Sequence, residues 1–468
     1  MRRSAQTDAF AGHRAQPPAA LPPWPAARVA YYTLFVLVLC LTSSQLDVYI
    51  VPYLAGSIKA DLHLTDTDLA LLIGASFGLF YTLVGLPIAW FVDRFSRRWI
   101  IALGIAIWNI GTALCGVAQN FTQLFAARFL VGAGEAVNGP ASYSMIADLY
   151  PRERMPRAVA LLQLGSVVGP ALALLLGALL LHRFLGMRPI AVPFGVIHGW
   201  QLIFVLIGVP GALISVLILM TVPEPARRRI PHQIEGEVRR TDAGLLAWLS
   251  DYRAALAYML RHRMIYGPMF ASLFFGSFAI GAQQWGPIFY QRTFGWSPAR
   301  LAELQGLAQL TVVPLGLAAS VLLAERFSRE RREDSAMRVY IVSRLLGLPA
   351  VAYVLMPTPW LAFGLSLFSS FTLGMAGTAQ NAALQIITPA ELRGKITALY
   401  LFVYAVFGLA LSPLVPALIG DFVLHSEAMI RWGIFWPLAI FNPLALAVAG
   451  LALRPYGREV ARLTALER

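Results

Sequence analysis

The sequence predicts an all-α membrane protein with twelve transmembrane helices in two six-helix halves. Three observations predict it. First, 58% of the 468 residues are apolar, only 13% are charged, and the mean hydropathy is +0.66. A soluble domain carries about a quarter charged residues. Second, apolar runs of helical length recur along the whole chain, with room for about twelve spans of roughly 20 residues each. Third, a charged loop after the second run recurs after the eighth, so the chain repeats itself at half its length.

The spans fall at 29–52, 67–92, 99–118, 121–147, 157–181, 198–222, 264–290, 299–324, 336–356, 359–387, 395–420 and 429–453. Residues 1–28 are polar, then rich in Ala and Pro, and read as a disordered leader ahead of an uncleaved first span. Residues 29–222 and 264–453 form the two halves, and 454–468 form a tail. The linker 223–263 begins rich in Pro and Arg. Its later part sets Leu245, Leu249, Tyr252, Leu256 and Met259 at helical spacing, which predicts an amphipathic helix on the inner membrane surface.

The net charge of +13 could point to nucleic acid, but its distribution excludes that. The N-terminus, the even-to-odd loops and the tail hold nearly all the Lys and Arg. The opposite loops hold only Lys59, Arg183, Arg188, Arg292, Arg300 and Arg431. That asymmetry places both termini in the cytoplasm, which requires an even number of spans. A bacterial inner membrane is the expected location. Cys40 and Cys115 both lie inside apolar runs and read as packing residues.

The repeat is specific. Val92-Asp93-Arg94-Phe95-Ser96-Arg97 recurs as Ala324-Glu325-Arg326-Phe327-Ser328-Arg329, and the same offset pairs Thr65 with Ser297, Leu69 with Leu301 and Gly74 with Gly306. Near the ends of spans 4 and 10, Pro151, Glu153, Arg157, Ala160 and Leu161 match Pro389, Glu391, Lys395, Ala398 and Leu399. Two six-span halves in parallel orientation are a known transporter arrangement.

The stretch Ala89-Trp90-Phe91-Val92-Asp93-Arg94-Phe95-Ser96-Arg97-Arg98 resembles the loop 2–3 signature of the major facilitator superfamily, with both signature glycines replaced, by Ala89 and Ser96. The resemblance implies a cytoplasmic gate of Asp93, Arg94 and Arg97. In it Asp93 faces the N-terminus of span 11, where the helix dipole favours an anion, and Arg pairs with an acid ending span 4. Asp148 holds that place here, and Glu325 and Arg326 repeat the gate in the second half. The N-terminal half is also similar to the Spinster-like branch, through Leu46-Asp47-Val48-Tyr49, Ile58-Lys59-Ala60-Asp61-Leu62, and the stretch from Arg128 to Asp148. That branch usually carries Asp-Arg in span 1. Here Val48 stands in place of the Arg.

Two acids lie where lipid would not tolerate them. Asp47 is in span 1 and Glu135 in span 4, and acids so placed usually line a water-filled path or a proton relay. Arg128 shares a helix face with Glu135, two turns away. Desolvation favours the protonated carboxyl and a nearby Arg opposes it, so moving Arg128 relative to an acid would switch proton affinity. Glu135 could instead bond Asn138. Protons are therefore the expected coupling ion, and no cofactor or metal is expected.

Other polar groups inside spans could line a cavity or join helices: Gln163, Gln283, Gln284, Trp285, Gln380, Asn381 and Tyr404. Arg344 reads as a snorkelling cation. Gly165, Gly169, Pro170 and Gly177 in span 5 partly resemble the Gly-Pro motif of proton-driven exporters and also suit plain packing. Gly132 and Gly134 have no strand before them and no following Lys-Ser/Thr, so they form no nucleotide loop.

The expected function is secondary active transport by alternating access, coupled to protons. The Spinster resemblance implies an amphipathic or lipid-like cargo. Symport of an organic anion such as a sugar acid is the alternative, with Arg128 holding the carboxylate. A non-transporting membrane receptor is the reading from a different class. The expected partners are the small-molecule or lipid-like substrate and membrane lipids, with no nucleic acid, and one chain supplies both halves of a functional monomer.

Overall fold

The computed structural model describes residues 22–151, 153–192, 195–227, 247–330 and 334–467. Eleven helical segments among them are long and apolar enough to cross a membrane. The segment expected as span 4 is divided into Phe121–Glu135 and Asn138–Leu149. At 1.5 Å per residue neither piece crosses about 30 Å of hydrocarbon alone. The chain is therefore an integral, multi-pass, mostly helical membrane protein.

Several boundaries differ from the sequence reading, each for a local reason. The first helix runs Ala27–Leu62, because Pro52 is accommodated inside it, and it ends only where His63 turns left-handed. Span 9 is α-helical over Ser335–Gly347 and tightens to 3-10 geometry over Pro349–Leu355, where proline removes a backbone donor. The last helix runs Ile430–Glu467, so the expected tail continues it. A small hairpin, Ile190–Val192 paired with Gly195–Ile197, is the one strand pair among the described residues.

The linker helix spans Ala247–Arg261. Ala255 is its buried position, with Tyr252, Tyr258 and Met259 half-buried, and the Tyr258 ring lies edge-on to Tyr266. Leu256, expected on the apolar face, is instead exposed beside Leu260. Leu245 lies outside the described residues.

Toward the terminal end each half has its own apolar core, whereas a distal core runs across both halves, from Leu54 and Trp200 to Trp285 and Ile434. In the first half, Gly132 lets span 4 touch the Phe77 backbone of span 2, where an added Cβ would stand 2.5 Å from the Phe77 carbonyl oxygen. Gly134 does the same against Gly104 and Trp108 of span 3. The span 5 glycines meet span 1 at Val38, Gln45 and Ile50, which is close helix packing.

The halves meet along two seams. Gly74 of span 2 abuts the Ala410 carbonyl of span 11, and Gly306 of span 8 abuts Ala171 and Leu175 of span 5. These two glycines are repeat mates, so the repeat places a small residue at each seam. Both partners in the first seam contain π turns, Leu71–Ala75 in span 2 and Tyr404–Leu411 in span 11. Such bulges concentrate at functional contacts.

Candidate functional site

A cavity of about 260 Å³ lies between the halves. Spans 1, 2, 4 and 5 supply one wall, including Tyr49, Tyr53, Phe77 and Arg128. Spans 7 to 12 supply the other, including Gln283, Gln284, Gln305, Gln309, Ser370 and Tyr404. Arg128 is the one charged residue of this lining.

Arg128 is held from behind. It is 2% exposed, its Nη1 donates to the Asp47 main-chain carbonyl at 3.3 Å, and its guanidinium lies 5.6 Å from the Phe77 ring centre. Its Nε has no partner. Asp47 is 1% exposed. Its Oδ1 accepts a 2.7 Å hydrogen bond from Thr112 Oγ1, while Oδ2 is buried without a partner. Glu135 ends the helix Phe121–Glu135, and its Oε1 is likewise buried and unpartnered. Asn138 accepts from Ser142 Oγ at 3.2 Å and does not reach Glu135. Its Nδ2 is unpaired. Asp47, Arg128 and Glu135 lie within electrostatic reach of one another. Two buried acids with an orphaned oxygen each thus stand behind the single cation of the cavity.

The other polar candidates separate into cavity and scaffold. Gln283, Gln284 and Tyr404 line the cavity. Trp285 points away and donates to the Pro413 carbonyl at 2.8 Å. Gln380 donates to the Met269 carbonyl and accepts from Tyr400, tying spans 7, 10 and 11 together. Asn381 is exposed and accepts from Gln385 on its own helix. Gln163 is exposed and outside the cavity. Arg344 does not snorkel outward. It lies against Gly276, over the Tyr340 ring, with Nη1 3.5 Å from Asn442 Oδ1. Sequence reasoning missed Tyr53, Gln305 and Gln309. Gln305 and Gln309 are four apart on span 8, a helical stripe of amides in an apolar run that could have revealed them. Tyr53 donates to Gln305 across the halves.

The two ends differ. At the end away from the termini, Arg292 grips Asp66 with two bonds of 2.6 and 2.7 Å across the halves. Lys59 bonds Asp66 from its own half, and Glu427 braces Lys59 at 2.7 Å and Arg292 at 3.6 Å. Asp421 accepts from the Thr67 N–H and hydroxyl at 2.8 and 2.7 Å. These ion pairs and hydrogen bonds between the halves lie toward the distal end.

At the terminal end, Arg97 is buried, pairs with Asp148 and bonds Glu224 at 2.9 Å. Glu224 also accepts from Ser96 and from the Arg98 N–H. Burial works against its ionisation, but these donors together hold its carboxyl below the usual range. Arg227 then bonds the carbonyls of Val92 and Phe95, so the start of the linker is strapped to loop 2–3. Arg94 lies 4.1 Å over the Trp90 ring, and the Asp93 side chain is outside the described residues. Glu325 and Arg326, expected in the gate, do not bridge the halves. They are exposed and pair only along their own helix, with Arg329 and Glu330 at 3.9 Å. The apolar core that the halves share lies toward the distal end, and toward the terminal end each half has a separate core.

A profile described as Major Facilitator Superfamily matches residues 37–413. The chain belongs to that superfamily of membrane transporters. It is 26% identical to an MFS-type efflux pump of Mycolicibacterium smegmatis, covering 84% of this chain and 85% of that protein. It is 24% identical to a probable galactarate/D-glucarate transporter of Bacillus subtilis, covering 84% of this chain and 86% of that one. Its fold is similar to a bacterial homologue of the human lysosomal transporter Spinster, solved in an inward-facing, unoccupied conformation. The TM-score is 0.73 at 22% identity, over 93% of this chain and 98% of the other. The Spinster resemblance read from the first half thus extends to the fold of both.

Proposed function

We propose that this transporter carries a small organic anion together with protons by alternating access. The observation that supports it best is Arg128, the one charged side chain of a cavity whose lining is largely apolar but presents several amides and hydroxyls, with two buried acids nearby that each keep an unpartnered oxygen. A buried carboxylate lacking partners is costly unless it takes up a proton. Arg128 would hold the substrate carboxylate, a charge-assisted contact of the strong kind. Asp47 and Glu135 would carry the protons, and Asn138 would orient the broken helix beside them.

In this reading the structure is the state open to the terminal end, which the distribution of basic residues assigns to the cytoplasm. The Asp66–Arg292 clamp closes the outer end. Asp93, Arg94, Arg97 and Asp148, with Glu325 and Arg326 opposite, would form the inner gate when the molecule closes the other way. One chain is sufficient for this cycle.

The name of the Bacillus relative supports a sugar-acid cargo. The likeness to the Spinster homologue supports the second reading, an amphipathic lipid-like solute. The test is trapped-dye pH measurement in proteoliposomes, adding sugar acids, lysophospholipids and sphingoid bases separately. Proton movement with sugar acids alone supports the proposal. Movement with the lipids alone rejects it for the second reading.

A further inference from the structure

The last helix, Ile430–Glu467, keeps the same two faces along its whole length. At about 100° per residue, Trp436, Ile440, Leu444 and Leu451 fall on one face, and all four are exposed. Ala445, Ala449 and Ala452 are buried on the opposite face. Past the apolar run, Tyr456 and Val460 continue the buried face, while the outer face changes to Arg454 and Arg458, both exposed. These arginines follow Leu451 by three and seven residues, about 4.5 and 10.5 Å along the axis. Headgroups occupy about 5–8 Å beyond the hydrocarbon on each side of a bilayer. The alkyl stem of an arginine lets its head bend back into that layer. Arg462, next on the same face, meets Glu459 at 3.5 Å, whereas Arg454 and Arg458 make no ion pair among the described residues.

The linker helix, Ala247–Arg261, marks the same level. Its Ala255 shares one apolar core with Tyr456 and Val460, and Tyr258 lies within electrostatic reach of Glu459 and Arg462. On a side turned away from Ala255, Leu256 and Leu260 are exposed one turn apart, with Arg253 and Arg261 exposed beside them. Exposed leucines flanked by arginines, on a helix docked at the end of a membrane bundle, suit the boundary between headgroups and acyl chains. Two helices of the second half thus put that boundary level with residues 454–460.

We propose that Arg454 and Arg458 form a binding site for the phosphate of an anionic phospholipid in the leaflet at the terminal end, with Leu256 and Leu260 seated among acyl chains beside it. A guanidinium fork matches a phosphate in geometry as well as charge. The buried Tyr456 and Val460 behind the two arginines fix the helix face that presents them. The site is independent of the cargo and of proton coupling.

The test is electron spin resonance of spin-labelled phosphatidylglycerol and spin-labelled phosphatidylcholine, each in phosphatidylcholine vesicles that hold the purified full-length protein. The fraction of each label slowed at the protein surface is expected to give a severalfold preference for phosphatidylglycerol, weakening as salt is added. Arg454→Gln and Arg458→Gln should each reduce it by up to about fivefold, the worth of one arginine at an anionic surface, and together abolish it. Arg454→Lys with Arg458→Lys should retain part of it. Arg154→Gln with Arg157→Gln, which removes the same charge from exposed positions of the first half, should leave the preference in place. Equal binding of the two lipids to wild type overturns the proposal, whatever the variants do. A preference that survives the double Gln exchange at 454 and 458, or that falls equally with the exchange at 154 and 157, overturns it too, since general surface charge would then account for it.

Discussion

The two halves face one cavity with opposite chemistry. The first half buries three charges, Asp47, Arg128 and Glu135, and leaves polar atoms on each without a partner. The second half offers carboxamides and hydroxyls among apolar side chains, and no charge, in the cavity lining. Both descend from one repeat, and the seams still show it in the matched contacts of Gly74 and Gly306. The difference teaches a division of labour. In the proposed cycle, charge and proton chemistry would belong to one half and recognition of the neutral part of the solute to the other, and rocking the halves would change the surroundings of the acids and the grip on the solute in a single motion.

The largest expected effect breaks this division at its one shared point. Arg128→Gln should lower anion affinity about a hundredfold or more, since a charge-assisted pair is lost and the neighbouring acids lose their cation. Titration calorimetry reads it, and unchanged affinity would place the carboxylate elsewhere.

The distal clamp gives the next effect. Breaking a buried ion pair by removing one partner costs about 3–5 kcal/mol. Asp66 is nearly inaccessible, so Asp66→Asn or Arg292→Gln should move the population toward the state open at the distal end. Spin labels on the distal ends of spans 1 and 7 should show a longer distance. Arg292→Lys, which keeps the charge facing Asp66 and Glu427, should lengthen it less, and labels that do not respond to any of the three would remove the clamp from the gating account.

Gly74→Ala should act in the same direction but less strongly. Its added methyl carbon would stand 2.6 Å from the Ala410 carbonyl oxygen, a backbone atom that cannot yield locally. Lowered inward-open population by the same labels is the expected readout, and an unaltered distance distribution would show that the seam can slide.

The smallest effect lies at the terminal strap. The Glu224 carboxyl is held below its usual range in the folded chain. Its stabilisation is therefore full above the ordinary glutamate range and is lost as pH falls through the lowered folded value. The melting temperature of wild type should exceed that of Glu224→Gln near neutral pH by a few degrees at most, and the gap should close in acid. A gap that widens in acid would contradict the sign.

Much of this was legible in the residues. Asp47 and Glu135 declared themselves because a charge in an apolar run has few reasons to exist. The repeat announced two halves because Asp93-Arg94 and Glu325-Arg326 share their context. The rest depended on three-dimensional pairing that one sequence does not carry. Asp66 and Arg292 lie far apart in the chain, and each alone reads as ordinary loop charge. Trp285 and Gln283 are two residues apart, yet one is buried scaffold and the other lines the cavity, because the helix turn decides which way each points. The break after Glu135 was missed although Pro140 follows it and cannot donate to the Ala136 carbonyl, because prolines inside other spans, such as Pro52 and Pro170, leave their helices unbroken. The tight approach of Gly132 and Gly134 to spans 2 and 3 is visible only in the packed bundle.

The central claim is that the first half carries the proton and the second half recognises the solute. The most direct measurement is the internal pH of proteoliposomes during sugar-acid addition, paired with labelled sugar-acid counterflow, in wild type, Glu135→Gln and Asp47→Asn. The account predicts proton movement driven by a sugar acid in wild type, its loss in at least one acid variant, and counterflow that persists in that same variant. Proton movement that survives in both variants would contradict it, because coupling would then run through groups other than the two buried acids.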